Sequence, residues 1–167
     1  MATLFRGVEL VNAQGEKALG EDLLADKVVA LFFSADWCPY CHDFLPALQT
    51  LYEEVNADGK PKRLEIVFVS SDTDNDAFTS YFKAHHGAWY AIPHGNADLR
   101  AEIKRKYQVA GRKELAGLGL VDRKGGLPTL LVVDTEGNAI DYEGVDKVNK
   151  LGPVALENWE KELATRS

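Results

Sequence analysis

The sequence predicts an α/β domain: a central mixed β-sheet flanked by helices on both faces. Three observations carry that expectation. Val28–Phe33 is six apolar residues without alternation, the pattern of a strand covered on both sides. An amphipathic stretch and a second apolar run, Leu64–Ser70, follow, completing a strand–helix–strand unit. Two short apolar runs around Asp134-Thr-Glu-Gly-Asn138 then describe an antiparallel hairpin, so the sheet is mixed.

Taken in order, Val8–Val11 alternates before the turn signal Asn12-Ala-Gln-Gly15, predicting an edge strand or hairpin, and Gly20–Leu24 suits one short helical turn. Phe44, Leu48, Leu51, Tyr52 and Val55 recur at helical spacing, predicting a helix from Cys38 to Ala57, kinked at Pro46 and stopped by Asp58-Gly59. After the second strand, Asp72–Asp76 supplies a cap for a helix whose apolar face is Phe78, Tyr81 and Phe82; His85-His86 falls at its solvated end. Trp89–Pro93 is expected to be a loop. Asn96 caps a helix bearing Leu99, Ile103 and Tyr107, and Leu156, Trp159 and Leu163 give the last helix its apolar face. The run from Asp72 begins like a calcium loop, but Ala77 and Lys83 stand where the turn glycine and bidentate glutamate belong, which excludes an EF-hand.

At 167 residues the chain fits one domain, residues 1–167, able to bury a core without a disulfide or metal staple. Charged residues make up 27% and the net charge is −7. That balance argues against nucleic acid or an anionic membrane as the main partner. No basic segment precedes an apolar core at the N-terminus, and no run nears the ~20 apolar residues that span a bilayer. The expectation is a soluble, cytoplasmic or nuclear monomer in a reducing compartment, where a Cys pair is catalytic or metal-binding rather than a staple.

Chemistry concentrates in Ser34-Ala-Asp-Trp-Cys-Pro-Tyr-Cys-His42, which holds the only two cysteines, Cys38 and Cys41. Three apart on a helix, their Cβ atoms lie roughly 5–6 Å apart, close enough for a disulfide after a small adjustment. Cys38 is expected at the helix N-terminus, where unsatisfied N–H groups favour a thiolate, and Cys41 one turn deeper and more buried. Cys38 is therefore the expected nucleophile and Cys41 the resolving thiol, with Pro39 suited to the first helical position. Cys-x-x-Cys-His also matches haem attachment, which belongs with exported proteins. Structural zinc would need two further ligands that His85, His86 and His94 do not supply at finger spacing. No metal site is expected. An inert buried pair is the remaining alternative.

Trp37-Cys-Pro-Tyr-Cys41 after an apolar strand resembles the thioredoxin superfamily. Val67–Asp72, Phe78-x-x-Tyr-Phe82, Trp89–Pro93, Gly126-Leu-Pro-Thr-Leu130 and Gly144–Gly152 with Trp159 are similar to tryparedoxins and nucleoredoxins. The resemblance implies a thioredoxin fold and reduction of protein disulfides, such as those of peroxidases, by dithiol exchange. An upstream low-molecular-weight thiol or reductase would supply electrons. No bound cofactor is implied, because the Cys38–Cys41 pair itself is the redox group. It implies a cis Pro128, and a substrate-facing surface of Trp37, Pro39, Tyr40, Leu127 and Pro128. Two alternatives remain: a redox-sensitive binding protein without turnover, and glutathione-dependent, glutaredoxin-like activity suggested by Cys-Pro-Tyr-Cys. Phe32 stands where thioredoxins place a buried aspartate, while nearby Asp36 is expected to be exposed. Residues 112–125 form a basic, glycine-containing insertion where such relatives pass almost directly to the Gly-x-Pro turn, and it is a candidate partner-selecting loop beside Pro128.

Overall fold

The computed structural model describes residues 4–57 and 61–166, and the expected helix stop at Asp58-Gly59 lies outside them. Seven strands form one mixed sheet in the order β2-β1-β5-β4-β3-β6-β7. At its centre β3 (Val28–Ser34) pairs in parallel with β4 (Leu64–Ser70) and antiparallel with β6 (Thr129–Val133). All three are buried along their length, which is why they lack alternation in sequence. The pleat still separates their side chains. Ala30, Phe32, Ile66, Phe68, Leu130 and Val132 pack with Phe44 and Leu48 of α2 (Pro39–Val55), Phe78, Tyr81 and Phe82 of α3 (Asn75–His85), and Trp159 of α7 (Pro153–Arg166). Leu31, Phe33, Val67, Val69 and Leu131 pack with Ile103 and Tyr107 of α4 (Ala97–Tyr107) and with Phe5 and Leu10 of the N-terminal segment. Helices therefore cover both faces.

The edges are short. β1 (Glu9–Val11) pairs with β2 (Lys17–Leu19) as a hairpin, and α1 (Gly20–Leu23) follows as the expected single turn. At the other edge β7 (Ala139–Asp141) returns along β6 through a turn in which Asp134 Oδ1 accepts the amides of Glu136 and Asn138. Gly137 there has φ +87°, a conformation only glycine takes without strain. α6 (Gly144–Leu151) precedes α7 as a separate helix.

Four expectations change. α2 spans Pro39–Val55 rather than 38–57 and continues through Pro46, whose ring is exposed. The expected loop at 89–93 contains β5 (Tyr90–Ala91), a two-residue strand that joins the N-terminal hairpin to β4. Two residues cannot show a period. His86 is not a solvated helix end: its ring lies among Phe32, Phe68, Tyr81, Phe82 and Trp89, though His85 is exposed. Residues 112–125 are not a plain loop, since Arg112–Glu114 forms a 3-10 turn and α5 (Leu115–Leu118) follows. Among the described residues no helix is long and apolar enough to cross a membrane.

Candidate functional site

The central strand delivers the cysteine pair. β3 ends at Ser34, three residues turn outward, and Cys38 caps α2 with extended backbone (φ −98°, ψ 107°) ahead of Pro39. The proline costs nothing there, because the first-turn N–H it lacks would have no partner in the helix. The Cys41 amide N–H instead points at Cys38 Sγ, 3.2 Å away, so negative charge on that sulfur meets a donor. Both cysteines are free thiols and both are buried, Cys38 at 4% exposure and Cys41 at 0%. Around them the rim is open: Trp37 is half exposed and Tyr40 is 75% exposed. Trp37 is held by its indole N–H, which donates to the Ser71 carbonyl at 3.3 Å.

Behind the pair the surroundings are dry. Phe32 is fully buried against Phe44, Phe68 and His86, so no carboxylate lies in its place. What replaces it is a pair of hydroxyls. Ser34 Oγ and Tyr81 Oη lie 2.5 Å apart, and the Ser34 hydroxyl favours the ionised form of the Cys41 thiol. Burial, followed by the bond to Cys38, pushes the Cys41 thiol up to about 12; the Ser34 hydroxyl and the Ala35 backbone pull the other way. Without those donors this thiol would resist ionisation further.

Histidines line the α3 side of the site. Trp89 Nε1–H donates to His86 Nδ1 at 3.1 Å, which leaves the imidazole proton on Nε2. Burial drives His86 down to about 3, with His85 and His42 adding to the effect, so the ring is neutral. His42 lies tilted against Tyr81 and edge-on to His85, with ring centroids at 5.1 and 4.7 Å, and its Nε2 lies 3.3 Å from Asp36 Oδ1. Asp36 is exposed, as expected. Among the described residues no three His, Cys, Asp or Glu side chains are grouped to hold a metal.

The opposite wall is built by the turn before β6. Leu127–Pro128 is a cis peptide, and the Phe33↔Thr129 register sets it just beyond the end of β3. Thr129 Oγ1–H donates to the Gly126 carbonyl at 2.6 Å and ties the turn. No hydrogen bond among the described residues uses the Leu127 peptide N–H or carbonyl, so that backbone edge is open. Gly111 links this turn to the rim: a Cβ there would meet the Trp37 ring at 3.0 Å and Leu127 at 3.4 Å. The structure thus gathers Trp37, Cys38, Pro39, Tyr40, Cys41, Leu127 and Pro128 at one end of the sheet.

The segment 112–125 is anchored beside that turn. Glu114 accepts the Gly111 amide at 2.9 Å and pairs with buried Lys104 at 2.5 Å, and Lys104 in turn donates to the Ser70 carbonyl. Burial lowers the Lys104 ammonium, while Glu114 works against that shift. Asp72, raised by burial, accepts from the Asp36 amide and the Ser70 hydroxyl. The far end closes through a Val109↔Gly125 bridge.

Sequence reasoning missed the roles of Ser34, Tyr81, Lys104 and Glu114. Tyr81 showed only as part of an apolar helix face, and nothing in the sequence singled out Lys104. Concavity gives no signal either. A cleft of 1180 Å³ lies at the other end of the sheet, lined by Lys27, Val29, Lys62, Arg63, Glu160 and Leu163 among others, and holds no residue of the cysteine site.

Residues 26–139 match the model of a family described as thioredoxin-like. The chain is 33% identical over 121 residues to nucleoredoxin of Danio rerio, an alignment covering 72% of this chain and 24% of that protein. It spans about a quarter of the length of the curated nucleoredoxins it matches first. Among solved structures, thioredoxin from Wuchereria bancrofti is 38% identical with TM-score 0.71, covering 95% of this chain and 97% of that one. Tryparedoxin from Trypanosoma brucei is 25% identical with TM-score 0.68, and 91% of each chain is covered.

Proposed function

The chain belongs to the thioredoxin-like family, on its tryparedoxin and nucleoredoxin side, and from that premise we propose that it reduces disulfides of other proteins. These relatives suggest a thiol–disulfide oxidoreductase in the broad sense; protein disulfides as the substrate are our reading. The observation that carries it is Cys38 at the α2 N-cap under the Cys41 amide, with an open rim around it.

In this reaction the Cys38 thiolate attacks one sulfur of the partner disulfide. That S–S bond breaks, the second partner sulfur leaves as a thiolate that takes a proton from solvent, and a mixed disulfide forms. Cys41 then gives up its proton, which ends on the departing thiolate, and its sulfur attacks Cys38 Sγ. The Cys38–partner bond breaks, leaving a Cys38–Cys41 disulfide and a dithiol partner two electrons richer. Ser34, backed by Tyr81, donates to the Cys41 sulfur as it becomes anionic. The dithiol carries both electrons, so no bound cofactor enters. A low-molecular-weight thiol or a reductase returns the pair to its reduced form. Trp37, Pro39 and Tyr40 meet the partner on one side, and the Leu127–Pro128 turn offers backbone on the other.

The test is insulin reduction with dithiothreitol as donor. The protein should accelerate insulin precipitation in proportion to its concentration. If precipitation proceeds no faster than with dithiothreitol alone, the proposal fails and a binding role without turnover takes its place.

A further inference from the structure

We propose that residues 112–125 form a specificity wall that selects partners carrying acidic residues beside the disulfide, with Arg123, Arg112 and Lys113 as its reading side chains. The inference rests on the reductase reading and names the partner chemistry.

The segment is built rather than loose. Glu114 binds it at one end to the Gly111 amide and to buried Lys104. At the other end the Lys124 amide donates to the Gln108 carbonyl and the Ala110 amide to the Gly125 carbonyl. Arg123 crosses between the two ends, donating from Nη1 to the Ala110 carbonyl at 2.9 Å. A Cβ on Gly126 would meet this guanidinium at 3.2 Å, so Arg123 lies against the backbone that leads into Leu127–Pro128. Guanidinium has five donors in a planar fork, and one bond to Ala110 leaves others for a carboxylate. Arg112 and Lys113 are exposed and follow Gly111, where a Cβ would meet both Trp37 and Leu127. Val121, 89% exposed, adds apolar surface on the same segment.

Charge decides what this wall attracts. It carries four cations against two acids, +2, on a chain of −7, so the rest of the protein stands at −9. Glu114 is already paired with Lys104, and no ion pair among the described residues takes up Arg112, Lys113 or Arg123. Across the cysteine pair the sign reverses: exposed Asp36 turns towards His42, and Asp74 and Asp76 begin α3. A partner strand crossing the site therefore meets carboxylates on the α3 side and cations on the Pro128 side. Its acidic residues belong over the second. Lys124 provides an internal control, because its ammonium lies 5.8 Å over the Tyr142 ring, on the β7 side.

The experiment compares three disulfide-linked peptides of equal length, flanked by glutamates, serines or lysines, with hydroxyethyl disulfide as an uncharged small substrate. The wild type should show kcat/KM highest for the acidic peptide and lowest for the basic one, by roughly threefold to tenfold per step at low salt, narrowing as salt rises. Arg123→Ala, and separately the exposed pair Arg112→Ala with Lys113→Ala, should collapse the preference while hydroxyethyl disulfide reduction is unchanged. Lys124→Ala should keep it. Equal rates on all three peptides, or a preference untouched in both variants, overturn the inference and leave the reductase reading intact. Failure to reduce any disulfide overturns that reading itself.

Discussion

Two walls meet at the cysteine pair, and they are built on opposite principles. The buried part of the α3 wall is dry: Phe32, Phe68, Tyr81 and a neutral His86 pack with no ionised group among them, and the Ser34 and Tyr81 hydroxyls with the Ala35 backbone serve Cys41. The wall of residues 112–125 is polar and fastened by charge, with Glu114 clamped on a buried lysine. The first sets the chemistry of the thiols, because low polarity magnifies each remaining donor. The second, on our proposal, sets what reaches them. A site can therefore keep its reaction while changing its partners, provided the two walls do not share residues.

The largest expected effect lies where both walls converge. Cys38→Ser should bring insulin reduction down to the dithiothreitol background, since no other sulfur sits at the helix N-cap. Activity retained in this variant would dissolve the distinction between the walls.

The polar wall comes next. Glu114→Ala leaves the Lys104 ammonium buried on the Ser70 carbonyl without its paired acid, Asp72 acting only from a distance, which should cost about 3 kcal/mol in denaturant unfolding. Lys104→Met combined with Glu114→Ala should recover much of that loss, because the stranded charge is gone. Should the double variant be no more stable than the single, Glu114 acts through the Gly111 amide instead.

The dry wall is probed by rate. Tyr81→Phe removes the donor behind Ser34 and should slow the resolving step about tenfold, one charge-assisted hydrogen bond's worth, in rapid-mixing measurements. Alkylation of Cys38 should be unaffected. In both proteins the resolving rate should climb with pH, about tenfold per unit, until Cys41 ionises. That ionisation should come below 12 in the mixed disulfide, because the raising influence of the Cys38 thiol is gone.

His86 should give the smallest effect, and only in acid. Its folded value near 3 lies below the ordinary 6.5, so below pH 6.5 the unfolded chain binds the extra proton. The stability it contributes is complete above pH 6.5 and is lost progressively as pH falls towards 3. Tm should therefore drop more steeply from pH 6.5 to 4 in the wild type than in His86→Gln. Parallel curves would place the acid sensitivity elsewhere.

How much of this was legible in sequence follows from distance along the chain. Cys38, Pro39 and Cys41 obey rules that operate within one helical turn, and the structure places them as those rules require. The central strands declared themselves by continuous apolarity, Asn96 by capping, and the start of α3 by the Asp72–Asp76 run, within which the structure makes Asp74 the cap. The Ser34–Tyr81 contact joins residues 47 apart, and no local pattern distinguishes a tyrosine that packs from one whose hydroxyl serves a thiol. His86 was misplaced because a helix end is usually wet, and only the tertiary fold turns its ring onto Phe68. No local pattern marks Lys104 either, because the Glu114 that pairs with it comes from the next element. Phe32 was legible as a missing acid, but its replacement was not.

The central claim, that Cys38 attacks and Cys41 resolves, is tested most directly by trapping. Reduced Cys41→Ser and Cys38→Ser proteins are each mixed with oxidised insulin-type disulfide substrate, quenched with acid and examined by intact-mass spectrometry. The account predicts a persistent mixed disulfide through Cys38 in Cys41→Ser and little adduct in Cys38→Ser. A stable adduct through Cys41 in Cys38→Ser, with none through Cys38, would contradict it.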